Sequence, residues 1–357
     1  MTDASQSLAS DVAEYEAWLH TQCDVIQDGL EQKHERMAES AFRFYRATCF
    51  RFARTAPVLL PELFDAPETT CAGDAHIENW GTWRDDEGRL VWGVNDFDDA
   101  AHLPYTTDLL RLATSALLAP RLQGERADRV ASILKGYRRA LKDPAPCIID
   151  DRTIWMQRLV QRPSATENAF DKELDKLKED EPPEPIATAL RQRMPAGTRK
   201  IRMLGRQKGG GSLGRPRYVA RGRWRGGTVV REAKALVPSS WDWALGIRIG
   251  RHLFLDIANG TFRSPDPFLH EASGFIIRRI AADSHKIDLG KGAARAFGPR
   301  LLEAMGADLA AIHLAGPVTA KLLRWDLRRR KSGWLLDAAQ RAETAVRADY
   351  RAWVGLA

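Results

Sequence analysis

Lys200 to Leu204, Arg217 to Trp224 and Thr228 to Leu236 form three strand-like runs in succession. A glycine-rich turn separates the first two, and Arg225-Gly226-Gly227 separates the last two. Runs joined this way pair antiparallel, so a small antiparallel sheet is expected here. Around it the periodicity is helical. From Ala4 to about Ala56, apolar positions such as Met37, Phe42, Tyr45 and Phe50 recur mostly at three- to five-residue spacings. Thr107 to Leu118, the basic amphipathic stretch Arg126 to Leu141, Trp241 to Ala258 and Ala293 to the carboxyl end also predict helices, while Gly274 to Ile280 predicts another strand. The expected class is α+β.

The charge-dense Phe170 to Pro185 predicts an exposed helix running into a linker, with a lobe boundary near residues 185–198. Four regions follow: N-terminal helices over 1–60, a segment with two acidic loops plus linker over 61–195, a β-rich lobe over 196–285, and C-terminal helices over 286–357. With 357 residues, 44% hydrophobic and 28% charged, the chain can build a sizeable core and is not a disordered or collagenous protein. Lys and Arg number 54 against 47 Asp and Glu, a net +7 that suits an anionic ligand without demanding nucleic acid. Cys23, Cys49, Cys71 and Cys147 form no CxxC pair, so neither a zinc knuckle nor a disulfide framework is expected. The acidic amino terminus does not resemble a signal peptide and no membrane-length apolar run follows, so a cytoplasmic protein with no membrane partner is expected.

Chemistry concentrates between Cys71 and Ala100. Alternating Trp, Val and Leu around the turn Arg84-Asp85-Asp86-Glu87-Gly88 predict a hairpin flanked by two acidic loops. Gly73-Asp74-Ala75-His76-Ile77-Glu78-Asn79 precedes it and Asn95-Asp96-Phe97-Asp98-Asp99 follows. Phosphoryl transfer from a nucleotide needs a carboxylate to orient the acceptor's proton, an amide oxygen and a second carboxylate for magnesium. Asp74, Asn79 and Asp96 supply that set in that order, with Asp98 as a second-rank metal ligand. His76 is either a ligand or, more commonly for such a residue, a hydrogen-bonding brace. The plainer alternative has Asp74 capping a helix and Asp98 and Asp99 facing solvent.

Gly209-Gly210-Gly211-Ser212-Leu213-Gly214 lies between two strands rather than between strand and helix. That context favours a phosphate-covering hairpin over a dinucleotide fingerprint, and a flexible surface turn is the simpler rival. Ser212 could add a hydroxyl donor. On the third strand, Arg231 or Lys234 could clamp phosphate. Arg231, 17 positions beyond Gly214, has the favoured register, and Lys234 falls on the opposite face of a regular strand.

Gly73-Asp74-Ala75-His76 through Asn79 resembles the catalytic loop of kinase-like aminoglycoside and choline phosphotransferases, with Ala72 where those relatives carry His. Val94 to Asp98 is similar to their metal-binding segment, and Pro104 to Leu112 to the helix after it, which implies a scaffold role for Asp108. The helix containing Asp308 to His313 resembles the one that leads into their catalytic loop. Here the glycine loop follows the acidic loops. The resemblance therefore implies a two-lobed protein-kinase-like fold, circularly permuted.

From about residue 30 to Tyr350 the chain also resembles an uncharacterised bacterial family, domain of unknown function 2252. The resemblance rests on Arg36 to Phe42, Gly73 to Asn79, Asn95 to Asp98, Gly209 to Gly214, Arg231 to Ala233 and Arg279 to Lys286. Arg231 stands where that family usually has Lys. No clear helix glutamate follows it, and Asp242 or Asp256 are the substitutes considered. The implied activity is an ATP- and Mg2+-dependent phosphotransferase acting on an unidentified acceptor. The alternatives are a nucleotide-binding pseudokinase, an AMP-transferring enzyme, and a nucleic-acid-binding protein using Arg324, Arg328, Arg329, Arg330 and Lys331, a cluster more often just a solvated helix end. All the phosphotransferase readings require the carboxylates of the first half to face the glycine hairpin of the second across one cleft.

Overall fold

Ser7 opens the first helix by accepting the amide of Ser10 at 3.2 Å, and Ser40 does the same for Arg43 where the second helix gives way to the third. In the computed structural model, which describes residues 7–120, 122–151, 153–157, 165–247, 251–282, 284 and 298–356, these caps punctuate a helical opening. It comprises α1 (Leu8–Gln22), α2 (Gln27–Glu39), α3 (Ala41–Ala47) and α4 (Cys49–Leu59). Tyr15 stacks on Phe50 at 4.3 Å, joining α1 to α4.

Strands β1 (Glu68–Cys71), β2 (Trp80–Arg84), β3 (Leu90–Val94) and β4 (Ala101–Pro104) follow. β1 pairs antiparallel with β4, ending at Cys71 opposite Ala101, and β2 pairs with β3 from Trp80 opposite Val94. Residues 72–79 and 95–100 are therefore bracketed by the same two ladders. Two acidic loops far apart in sequence are forced side by side. Helix α5 (Thr106–Leu118) is buried along its whole length, α6 (Arg126–Ala140) lies next to it, and β5 (Cys147–Ile148) extends the β2–β3 pair.

The charge-dense segment is mostly exposed and begins in a helix, as expected, but Glu184–Gln192, where the lobe boundary was expected, is a second helix that covers one face of a sheet. Helix α7 (Ala165–Asp175) and helix α8 (Glu184–Gln192) precede β6 (Arg199–Gly205), β7 (Arg217–Trp224) and β8 (Gly227–Ala235). After α9 (Ser240–Leu245) and α10 (Phe254–Ala258), β9 (His270–Ala272) and β10 (Phe275–Arg279) complete an antiparallel sheet in the order β6-β7-β8-β10-β9. On one face Met203, Ala220, Ala233 and Ile277 pack against Ile186, Ala187 and Leu190 of α8. On the other, Leu204, Val219, Val230 and Ile280 meet Leu174 of α7. Apolar residues scattered through charged segments make this possible, and the density of charge hides them from a linear reading. The single helix expected over Trp241 to Ala258 is broken by Gly246, whose left-handed φ of 66° ends α9.

Helices α11 (Pro299–Ala315), α12 (Ala320–Arg329) and α13 (Trp334–Leu356) finish the chain. α11 crosses α6 at backbone contact: a Cβ on Gly136 would lie 1.7 Å from the Glu303 carbonyl, and one on Gly306 2.0 Å from that of Ile133. Asp308 of α11 accepts the Trp80 indole at 2.9 Å, the Val94 amide at 2.7 Å and the Arg263 guanidinium at 2.9 Å. These bonds fix the root of the β2–β3 hairpin. α13 packs against α5, α2 and α3, and Tyr350 donates to the Ala38 carbonyl at 3.0 Å. Among the described residues the cysteines are free thiols, and no helix is long and apolar enough to cross a membrane. The chain is a mixed α+β protein built from helices and several antiparallel sheets.

Candidate active site

A cleft of about 870 Å3 opens between the acidic loops and the β6-β7-β8-β10-β9 sheet. Asp74, Asn79, Asp96 and Asp98 line it from one side, and Gly209, Gly210, Gly211, Ser212 and Lys234 from the other.

The Asp74 loop is held from behind. Asp108, in the first turn of α5, accepts the Ala72 amide at 2.7 Å and the Gly73 amide at 2.9 Å. His313 of α11 contacts the same carboxylate at 3.1 Å, and the Tyr137 hydroxyl meets the other ring nitrogen at 2.8 Å. Asp108 and His313 are thus braces, as the resemblance implied for the first. Gly73 has a φ of 77°, and a Cβ there would fall 1.7 Å from the Asp99 carbonyl, so no other residue fits this turn. Asp74 Oδ1 accepts the Arg111 Nε–H at 2.8 Å and lies 2.6 Å from its Nη2, and the Arg111 guanidinium lies 3.8 Å over Tyr45. Burial pushes the Asp74 carboxyl up to about 6, with Arg111 working against that and Asp99 and Asp96 adding to it. His76 Nε2 stands 3.6 Å from the second Asp74 oxygen.

Asn79 donates its side-chain amide to the Asp74 and Asp96 carbonyls, at 3.0 Å each. Its Oδ1 is then the oxygen a cation could take. Asp96 meets Lys234 Nζ at 3.0 and 3.2 Å across the cleft. Asp98 does not face solvent: its Oδ2 lies 2.5 Å from Lys234 Nζ and 3.1 Å from Arg215, so it serves two buried cations. Burial and the neighbouring Asp96 raise its carboxyl, and Lys234 and Arg215 oppose them. Asp96 and Asp98, not Asp242 or Asp256, are therefore the partners of the strand lysine. Asp242 caps α9 through Ser239, and Asp256 pairs with Arg251.

Two expected binding residues lie elsewhere. Arg231 projects from the opposite sheet face, where it donates to the Arg193 carbonyl at 2.9 Å and stacks 4.7 Å from Phe268. Counting from Gly214 misplaces it because Gly214 itself lies away from the cleft, and strand parity puts Lys234, not Arg231, on the cleft face. Gly214 is not at the cleft. With a φ of 89°, it packs where a Cβ would come 2.7 Å from Leu30, and its carbonyl accepts the Ile26 amide at 2.8 Å. The loop tip also rests on the helical half: Arg36 donates to the Gly209 carbonyl at 2.7 Å, and Arg46, paired with Glu78, faces Gly210 and Gly211.

Glu232, inside the Arg231 to Ala233 motif but given no role by the sequence patterns, is a further member of the site. Fully buried, it is bound by Arg206, by Arg217 at 2.9 Å and by Arg278 at 2.7 and 3.0 Å. Burial alone would raise this carboxyl, but Arg217, Arg278 and Arg206 overcome it and hold it well below the usual range. Strand parity is the available signal. Glu232 and Lys234 share a face, but the arginines join them only once Val219 and Arg278 are known to sit opposite Glu232. Asp99, expected at most to face solvent, also belongs here: it accepts the Ser240 amide at 2.7 Å, and its carboxylate, that of Asp74 and the Cys49 sulfur have ligand atoms within 4.8 Å of one another. Asp283 and Lys286, at the end of the Arg279 to Lys286 motif, lie outside the described residues.

Residues 26–182 match the model of a family described as an uncharacterized protein conserved in bacteria (DUF2252). The matched segment carries both acidic loops and stops before the five-stranded sheet. No curated protein and no solved structure matches the chain.

Proposed function

We propose that the chain is an ATP- and magnesium-dependent phosphotransferase with a kinase-like arrangement of two lobes, permuted in chain order. One observation carries the reading: Lys234 of the sheet bonds Asp96 across a cleft that also holds Asp74, Asn79 and the 209–212 loop. A cleft of this size accommodates a nucleotide. The donor set suits a hard cation, since Asn79 Oδ1 and the Asp96 carboxylate, 26% exposed, are oxygen ligands. Magnesium bound there would neutralise charge on the transferring phosphoryl group.

In this reading Asp74, oriented by Arg111, accepts the proton of an acceptor hydroxyl as that oxygen bonds the γ-phosphorus and the bond to the ADP oxygen breaks. Asp98 retains Lys234 when Asp96 turns to the cation. Catalysis is positioning and charge neutralisation in a fixed site. Arg at position 231 would favour a nucleotide-binding protein without turnover if it replaced the phosphate lysine, but that side chain belongs to the far side of the sheet. The basic cluster near α12 gives little support to nucleic acid, since Arg330 is engaged by Asp326 at 2.7 Å and Arg329 stacks on Trp325.

The test is thermal stabilisation by ATP with and without magnesium, followed by mass analysis of hydroxyl-bearing acceptors incubated with both. A magnesium-dependent shift and a product heavier by one phosphoryl group are expected. A shift with no product selects the pseudokinase, and a product carrying AMP selects nucleotidyl transfer.

A further inference from the structure

The cleft-facing side of the sheet holds more positive charge than its own carboxylates neutralise. Arg206 directly follows β6, Arg217 starts β7 and Arg278 belongs to β10, and all three converge on Glu232. Arg206 and Lys208 share Glu173 of α7, so four cations meet two carboxylates. Three guanidiniums carry fifteen N–H donors, whereas one carboxylate accepts about four hydrogen bonds. Glu232 therefore organises the arginines without saturating them. Arg206, Arg217 and Arg278 all line the cleft, and Arg217 also donates to Ser212 of the glycine loop at 3.1 Å. Lys234, the residue a kinase-like protein would use for phosphate, is held by Asp96 and Asp98 instead.

We infer that Arg206, Arg217 and Arg278, set in place by buried Glu232, form the clamp for the polyphosphate chain of the substrate. This deepens the phosphotransferase reading and rests on it for the identity of the nucleotide. It reassigns phosphate recognition from a lysine point charge to planar forks that bind phosphate oxygens in pairs. The glycine loop then acts through Ser212 and Arg217 together.

The probe is inorganic tripolyphosphate, titrated calorimetrically without magnesium into wild-type chain and into Arg278→Leu and Arg278→Lys. Arg278 is the most exposed of the three, at 21% of its side chain, so its replacement disturbs the sheet least. Tripolyphosphate should bind wild type and bind Arg278→Leu about 10- to 100-fold more weakly. Arg278→Lys, which retains charge but not the fork, should fall between them. Should Arg278→Leu fail to fold, a loss of at least about threefold in Arg278→Lys supports the clamp in its place, and a smaller loss overturns it. No binding to wild type, or equal binding to the folded variants, overturns the clamp. ATP is titrated in parallel. If tripolyphosphate binds through Arg278 and ATP binds no better with or without magnesium, the clamp stands and the nucleotide reading fails.

Discussion

Asp74 and Asp96 differ in how the fold treats their charge, and the proposed reaction gives them different work accordingly. Asp96 is partly exposed and paired with Lys234 at the cleft, and in the proposed reaction it turns from that lysine to the metal. Asp74, with 16% of its side chain exposed, is pushed up to about 6, a value at which a carboxylate can take a proton near neutrality. The turnover rate should therefore rise with pH through an apparent pKa near 6 and plateau above it, as read from a kcat/KM profile. Asp74→Asn should abolish both the limb and the rate. Asp96→Ala should reduce magnesium-dependent turnover about a thousandfold and leave the circular dichroism spectrum intact; retained turnover would remove it from the metal site. The signs for stability are opposed. The contribution of Asp74, whose carboxyl is raised, is complete below the ordinary carboxylate value and lost as pH rises through about 6. That of Glu232, whose carboxyl is depressed, is present at neutral pH and lost only on strong acidification.

Elements bring these residues together through register. The acidic loops meet because β1–β4 and β2–β3 bracket both, and the sheet presents Lys234 rather than Arg231 because side chains alternate. Gly73→Ala should cost more than about 2 kcal/mol, combining a left-handed φ with a clash against Asp99, and should lower the urea midpoint. Glu232→Ala should cost about 3–5 kcal/mol by leaving three arginines without their shared carboxylate, visible as a lower melting temperature. Much at this scale is legible in the sequence. The Asp85 to Gly88 turn, the strand Arg217–Trp224 and the opening helices follow from turn residues and periodicity. What is not legible depends on pairing. The partner of Lys234, the destination of Gly214 and the gathering of Arg206, Arg217 and Arg278 rest on contacts between segments that no local pattern records.

Over the whole molecule, one cleft joins halves of the chain that are remote in sequence. Arg36 reaches Gly209, Lys234 reaches Asp96, and Arg215 reaches both Asp98 and Tyr15. The glycine loop is thereby tied to the helical half as well as to its own sheet. A ligand bound in the cleft should stabilise both halves in one unfolding transition, with a shift that grows with the logarithm of its concentration. The most direct examination is a crystal structure with a non-hydrolysable ATP analogue and manganese, located by its anomalous signal. Manganese should lie between Asn79 and Asp96 within about 2.3 Å of both, with the triphosphate beneath residues 209–212 and against Arg217 and Arg278. A nucleotide bound outside this cleft, or manganese held without Asn79 and Asp96, would contradict the proposed phosphotransferase site.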